Sequence, residues 1–189
     1  LLVMVIPLLF CMDDILKIWL KEVPEYTTIF ASWMLINGFV MVLGSGFDPC
    51  IQSTGKIRNN EIGYGLINLA LLPIIYVLYK MGCPPYANVI VLPFLSLITR
   101  IFQIYIMKKQ TDFEVTTYFK KSIVPSFSTL IVAAIPLFAL RLIWGHSIIH
   151  TIVFIIIGVC WTAFSIWLVG IKMKEKQILL SFLRTKLIK

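Results

Sequence analysis

The chain has 189 residues, of which 59% are hydrophobic and 14% are charged, and its mean hydropathy is +0.93. A soluble domain is excluded, because the chain holds several apolar runs that are each long enough to cross a hydrocarbon core of ~30 Å. The net charge of +8 does not indicate a nucleic-acid partner, since the basic residues lie in short connections and in a C-terminal tail. The composition therefore predicts an all-α, polytopic bundle of transmembrane helices in a lipid bilayer.

The first apolar segment, residues 1–11, is about half as long as a membrane span. No basic region of a signal peptide precedes it, so we interpret it as the end of a sixth span. Residues 1–189 are then expected to form the C-terminal portion of one transmembrane domain that is incomplete at its N-terminus. Residues 12–28 are rich in charge and predict a polar connection, with Trp19 and Tyr26 at the level of the lipid headgroups.

Five further apolar runs predict full membrane spans. They are expected to be α-helices and not strands of a barrel, because they are apolar on every side. Their approximate bounds are 29–54, 62–80, 86–107, 122–144 and 147–171. The spans contain three internal prolines, Pro93, Pro125 and Pro136, which predict kinks or local unwinding of their helices. Such breaks are either simple bends of packed helices or hinges that allow a helix bundle to move.

The distribution of Lys and Arg predicts the orientation of the chain. The first, third and fifth connections carry 4 of these residues, whereas the second and fourth connections and the tail carry 12. Cytoplasmic loops of membrane proteins are enriched in Lys and Arg, so we expect the second connection and the C-terminus to be cytoplasmic. Residues 177–189 combine apolar residues with cations, which predicts an amphipathic helix on the inner leaflet.

The connection between the first two full spans, residues 55–61, is called the elbow below. Gly55 is expected to end the preceding helix, and Lys56 and Arg58 lie where membrane proteins carry positive charge. Asp48 precedes the elbow and lies inside the apolar boundary. A carboxylate in that position is costly, so it indicates a functional site, with a structural ion pair as the alternative.

Signals for catalysis or metal binding are weak. The four cysteines have no CxxC spacing, so they predict neither a zinc site nor a redox pair. His146 and His150 are four residues apart, but no third ligand is near them in the sequence. There is also no glycine-rich phosphate-binding loop. We therefore expect no catalytic residues, no metal and no cofactor, and a protein that is not an enzyme.

Several short motifs resemble one family of membrane transporters. The longest of them runs from Asp48 to Ile57, and Gln52 to Lys56 is its most specific part, where the family typically reads close to IQATGK. The others are Ile18-Trp19-Leu20, Val23-Pro24-Glu25-Tyr26 and Pro84-Pro85-Tyr86. Together they resemble the C-terminal half of Wzx-type polysaccharide flippases, the O-antigen and lipopolysaccharide-biosynthesis transporters of the multidrug/oligosaccharidyl-lipid/polysaccharide superfamily. The resemblance covers most of residues 15–108 and reaches the last two spans by hydropathy alone.

The resemblance implies two helical lobes around a central cavity in the bacterial inner membrane. Such a transporter moves an undecaprenyl-pyrophosphate-linked oligosaccharide from the cytoplasmic to the periplasmic leaflet. The family has more spans than this chain supplies, so the missing N-terminal half of the same transporter is an expected partner. Asp48 departs from the neutral residue that is usual before this proline, so no family role carries over to it.

A path for such a cargo needs polar and cationic side chains between apolar helices, because pyrophosphate and sugars cannot cross hydrocarbon. For each candidate residue the alternative is a hydrogen bond that only packs two helices together. The candidates are Asp48, Arg100, Gln52, Asn37, Asn68 and Gln103, with Ser45, Ser96 and Thr99 as further polar residues of the spans.

Asp48 and Arg100 are expected to lie at the same depth. Each precedes the first cytoplasmic cation of its span, Lys56 or Lys108, by eight residues, which corresponds to roughly 12 Å along a helix. We therefore predict that they face one another or share a wet cavity. They form a structural pair in one interpretation, and in the other Arg100 binds pyrophosphate oxygens.

Two other functions remain open at this point. A cation-coupled exporter of drugs or small molecules in the same superfamily would use acidic residues deep in a cavity. A membrane-embedded polymerase, ligase or acyltransferase acting on lipid-linked sugars would normally carry a large polar loop. The longest internal connection, about 108–121, is short and counts against the enzyme.

Overall fold

The structure is a computed structural model, and it describes residues 1–111, 113–143, 145 and 147–170. Two predictions lie outside the described residues. They are the amphipathic helix at 177–189 and the pairing of His146 with His150, since His146 is not described.

The predicted fold class is confirmed, because the described residues form helices and no strand. The helices are α1 Leu2–Trp19, α2 Thr27–Leu43, α3 Phe47–Ser53, α4 Arg58–Leu69, α5 Leu71–Lys80, α6 Ala87–Gln110, α7 Val115–Tyr118, α8 Val124–Ile143 and α9 Ile148–Ser165. Two π-helical segments, Phe119–Ile123 and Ile166–Gly170, adjoin α8 and α9.

Five segments of the described chain are long and apolar enough to cross a membrane, and they match the five predicted spans. Their bounds are Thr27–Ser53, Arg58–Lys80, Ala87–Gln110, Val115–Ile143 and Ile148–Gly170. Large apolar side chains such as Leu72, Tyr76 and Ile101 are among their exposed residues. Exposed apolar surface of this extent fits lipid as the surrounding solvent, because water would penalise it.

The boundary predicted for the first helix was wrong. The chain remains helical past residue 11, and α1 ends at Trp19 after 18 residues. Asp13, Asp14 and Lys17 therefore lie on a helix and not in a polar connection. The charged residues had suggested a loop, because a charge on a buried helix is costly. Asp14 is buried but forms an ion pair with Arg141, and this pairing offsets the cost of keeping it on the helix.

Three helices that follow an interruption carry a proline in their first turn: Pro49 in α3, Pro73 in α5 and Pro125 in α8. A first-turn residue has no N–H partner within its helix, so a proline is tolerated there. Local unwinding before Pro125 is confirmed as the π-helical segment Phe119–Ile123. At Pro93 and Pro136 the helix continues without unwinding, and the alternative of a kink at those two residues stays a prediction.

The chain divides into two compact units. The first unit contains Ile15–Phe119, in which α6 contacts α2, α3, α4 and α5. The second contains Leu2–Asp14 and the described residues from Lys120 to Gly170, in which α8 packs on α9. In the second unit, an added Cβ at Gly158 would lie 2.9 Å from the Pro7 ring, so α1 and α9 approach each other closely at that glycine.

Candidate functional site

The first unit has a break in a membrane span, between the end of α2 at Leu43 and the start of α3 at Phe47. A helix end leaves backbone carbonyls unpaired, and hydrocarbon supplies no water to pair them. Side chains donate to two carbonyls at this break, and the Gly44 carbonyl also accepts a hydrogen bond from the Phe47 N–H at 3.0 Å. The Tyr118 hydroxyl donates to the Leu43 carbonyl at 2.6 Å, and Arg100 Nη1 donates to the Gly44 carbonyl at 3.2 Å. The break is therefore stabilised by residues far away in the sequence.

Arg100, Gln103 and Asp48 form a chain of polar groups beside this break. Arg100 Nη1 donates to Gln103 Oε1 at 2.5 Å, and Gln103 Nε2 donates to Asp48 Oδ1 at 2.5 Å. The direct distance from Arg100 Nη1 to Asp48 Oδ2 is 3.8 Å. The predicted meeting of Asp48 and Arg100 is confirmed, and Gln103 is the residue that links them.

The three side chains differ in burial, and the difference decides what they can do. Gln103 is fully buried, and the Arg100 side chain is 12% exposed, whereas the Asp48 side chain is 44% exposed. Arg100 Nε is buried and has no hydrogen-bond partner among the described residues. An acceptor that reached Nε after a movement of the surrounding side chains would satisfy this donor with a charge-assisted hydrogen bond.

The dipoles of the two helices at the break, α2 and α3, also favour the charges that lie beside it. Arg100 lies at the C-terminus of α2, where the helix dipole favours a cation, and Asp48 lies in the first turn of α3, where it favours an anion. An aromatic cluster holds α3 in place. The Phe47 ring lies 5.9 Å from Phe113 and 5.1 Å from Tyr118.

The other predicted path residues are not joined to this chain of groups. Asn37 Oδ1 accepts a hydrogen bond from Ser96 Oγ at 2.7 Å, which links α2 to α6. Asn68 is exposed, and its Nδ2 donates to the Tyr64 carbonyl in its own helix at 2.8 Å. Gln52 lies exposed on α3. Of the predicted set, the structure thus brings together Asp48, Arg100 and Gln103.

The elbow is fixed to the end of α6. Gly55 has a φ of 71°, which favours glycine, and so the predicted helix end is confirmed there. Gln110 Oε1 accepts a hydrogen bond from Thr54 Oγ1 at 3.0 Å, and its Nε2 donates to the Lys56 carbonyl at 3.0 Å. The sequence analysis missed Gln110. A polar residue at the end of a span usually faces the membrane interface, and nothing in the sequence indicates that Gln110 bonds the elbow instead.

A second acid–base pair, also missed, lies in the second unit. Arg141 Nη2 of α8 forms a hydrogen-bonded ion pair with Asp14 Oδ2 of α1, and both side chains are largely buried at 13% and 8% exposure. The Arg141 guanidinium also lies 5.8 Å from the centre of the Phe154 ring. Sequence analysis had placed both residues in connections, where charges are usually solvated.

Candidate metal ligands and similarity to known proteins could each identify the chemistry of this site. In residues 1–111, 113–143, 145 and 147–170, no group of three His, Cys, Asp or Glu side chains is arranged to hold a metal ion. Comparison of the chain with protein-family models, with curated proteins and with solved structures found no match.

Proposed function

We propose that this chain is part of a membrane transporter that flips a lipid-linked oligosaccharide from the cytoplasmic to the periplasmic leaflet of a bacterial inner membrane. The cargo is an undecaprenyl-pyrophosphate-linked unit for surface polysaccharide, such as O-antigen of lipopolysaccharide. The resemblance of residues 15–108 to Wzx-type flippases suggests this cargo. The observation that carries the proposal is the broken span with Arg100, Gln103 and Asp48 at its break.

Broken helices with charged groups at their half-helix ends are a recurrent device of membrane transporters. The Arg100 guanidinium has the planar fork that suits phosphate oxygens, and no residue in the described part of the chain accepts a hydrogen bond from its buried Nε. Asp48 is held to Arg100 mainly through Gln103, since the direct distance is 3.8 Å. In the proposed cycle a pyrophosphate approaches Arg100 and Asp48 turns toward water, so the site exchanges one anion for another.

The proposal is tested by deleting the gene that encodes this chain. A flippase predicts that the lipid-linked oligosaccharide is still assembled, accumulates in the cytoplasmic leaflet and never reaches the cell surface. Complementation with the Arg100→Gln variant should leave the same accumulation at normal protein levels. If deletion instead stops assembly before the lipid-linked unit is complete, the protein is a synthetic enzyme and the proposal is wrong.

One observation favours a second candidate, a cation-coupled exporter of the same superfamily. The half-exposed Asp48 carboxylate lies within a membrane span, and such carboxylates can carry protons or bind cations. Here Asp48→Asn should abolish export of amphipathic cations from cells, whereas a flippase should tolerate this change better than Arg100→Gln. Resistance of cells to such cations, measured beside surface polysaccharide, separates the two functions.

A further inference from the structure

A cavity of about 580 Å³ lies between the elbow and the C-terminal half of α6, within the first unit. Three cations line it: Lys56, Arg58 and Lys109. All three are exposed, and among the residues that the structure describes, which do not include Asp112, no acidic side chain lines the cavity with them. The cavity therefore presents concentrated positive charge to any ligand that enters it.

The inner wall of the cavity is apolar and aromatic. Phe102, Tyr105 and Ile106 line it, and with Lys109 they recur at a spacing of three and four residues on α6. This spacing puts them on one face of the helix, and Arg100 and Gln103 belong to another. The cavity is thus separate from the polar chain at the helix break.

The walls are held by defined contacts. Gln110, which also lines the cavity, bonds the Lys56 carbonyl at 3.0 Å and so fixes the elbow against α6. The other wall depends on Gly63 of α4, where an added Cβ would collide with the Phe102 ring. The close approach of α4 to α6 at this glycine keeps Phe102 in place beside the cavity.

We propose that this cavity binds the headgroup of an anionic membrane phospholipid, with the phosphate between the three cations and the start of an acyl chain along Tyr105 and Ile106. Two features of the cavity argue for a lipid. Its charge is complementary to a phosphate, and its apolar wall continues along the exposed side of α6, which includes Ile101 and Ile98. Basic pockets between helices at the cytoplasmic boundary are where anionic headgroups bind. This proposal does not depend on the transported cargo.

The test measures lipid retention by the purified full-length protein. Native mass spectrometry is run in detergent during titration with phosphatidylglycerol, and with zwitterionic phosphatidylcholine for comparison. The wild-type protein should retain one phosphatidylglycerol tightly. Each cation near an anionic surface contributes about fivefold to binding, so the triple variant K56Q/R58Q/K109Q should bind phosphatidylglycerol on the order of 100-fold more weakly.

A matched control removes the same amount of charge elsewhere. Lys108 lies in the last turn of α6, and Lys120 and Lys121 lie on the π-helical segment that follows. All three are exposed, are on the same predicted side of the membrane and do not line the cavity. The variant K108Q/K120Q/K121Q should keep the wild-type affinity for the tightly bound lipid. Equal losses in both triple variants would show a diffuse surface effect and would overturn the site.

Two further arms identify the source of the phosphate. Tyr105→Ser shortens the apolar wall at an exposed position and should weaken phosphatidylglycerol binding severalfold, while its folding is checked by helical circular dichroism. Millimolar inorganic phosphate should not displace the lipid. Displacement by phosphate would show a site for soluble anions, and preferential displacement by a polyprenyl diphosphate would assign the cavity to the cargo. Either result overturns the proposal.

Discussion

The two acid–base pairs of this chain hold their charges in different ways. In the second unit Asp14 and Arg141 bond directly, and both side chains are largely buried. In the first unit Asp48 reaches Arg100 through Gln103, and the Asp48 side chain is 44% exposed. A buried direct pair resists exchange, because separating it leaves two desolvated charges. A bridged pair with one half-exposed partner can open at much lower cost, which the proposed exchange of anions at Arg100 would need.

The largest expected effect comes from breaking the buried pair. Asp14→Asn removes the Asp14 charge from the buried ion pair with Arg141, which should lower the free energy of unfolding by about 3–5 kcal/mol. Thermal unfolding in detergent and the expressed amount of folded protein measure this loss. Asp13→Asn is the matched control. Asp13 is the preceding residue and is exposed, so this change should leave the free energy of unfolding nearly unchanged. Similar losses in both variants would contradict a structural role for the pair.

A double-mutant cycle on the bridged pair should give a smaller loss of stability and a larger loss of transport. Arg100→Gln removes the charged donor from Gln103 Oε1 and from the Gly44 carbonyl, which keeps its bond from the Phe47 N–H, and should cost about 1.5–3 kcal/mol. Asp48→Asn should cost less than about 1 kcal/mol, because the carboxylate is partly solvated. We expect the double variant to recover expression but not transport, which marks Arg100 as a cargo contact.

If the double variant recovers both expression and transport, Asp48 and Arg100 form a structural pair like Asp14 and Arg141, and the two units do not differ in this respect. Additive losses in expression and transport would mean that the two residues do not act on one another. Both properties are measured in the same cells, as membrane-inserted protein and as surface polysaccharide.

Gly158→Ala tests whether the second unit also depends on close packing between α1 and α9. Its new Cβ would lie 2.9 Å from the Pro7 ring, which cannot rotate away. Overpacking of this kind costs about 1–3 kcal/mol, which offsets the gain in helix propensity of about 1 kcal/mol. The unfolding temperature should therefore fall. Gly38→Ala, which has open space within 4 Å, should instead leave stability unchanged or raise it.

Gly44→Ala displaces Arg100 without changing its charge. The added Cβ would lie 2.9 Å or less from Arg100 Cδ and Nε and from Phe47 Cδ2, so Arg100 must rotate aside and the Phe47 ring must shift. The loss of stability should be similar to that of Arg100→Gln, because the same bonds are lost. The rotated guanidinium then loses its bonds to Gly44 and Gln103, so transport should drop. Gly46→Ala meets nothing within 4 Å and should transport normally. Normal transport by both variants would show that the placement of Arg100 is unimportant.

The sequence by itself determined the five spans and the meeting of Asp48 with Arg100. Both depend on local quantities: an apolar run of sufficient length, and equal numbers of residues to the first cation after each span. The break between Leu43 and Phe47 was not predicted, because the apolar run continues through it. The cytoplasmic orientation, the cargo and the amphipathic tail at 177–189 stay predictions.

The tertiary structure alone decided that Gln103 bridges the pair, that Gln110 holds the elbow and that Asp14 meets Arg141. These partners are 55, 54 and 127 residues apart, respectively. A polar residue in an apolar helix has the same local signature whether it pairs across the fold or faces its own backbone, as Asn68 does. The length of α1 was misjudged for the same reason, because the residue that makes Asp14 tolerable on a helix comes from α8.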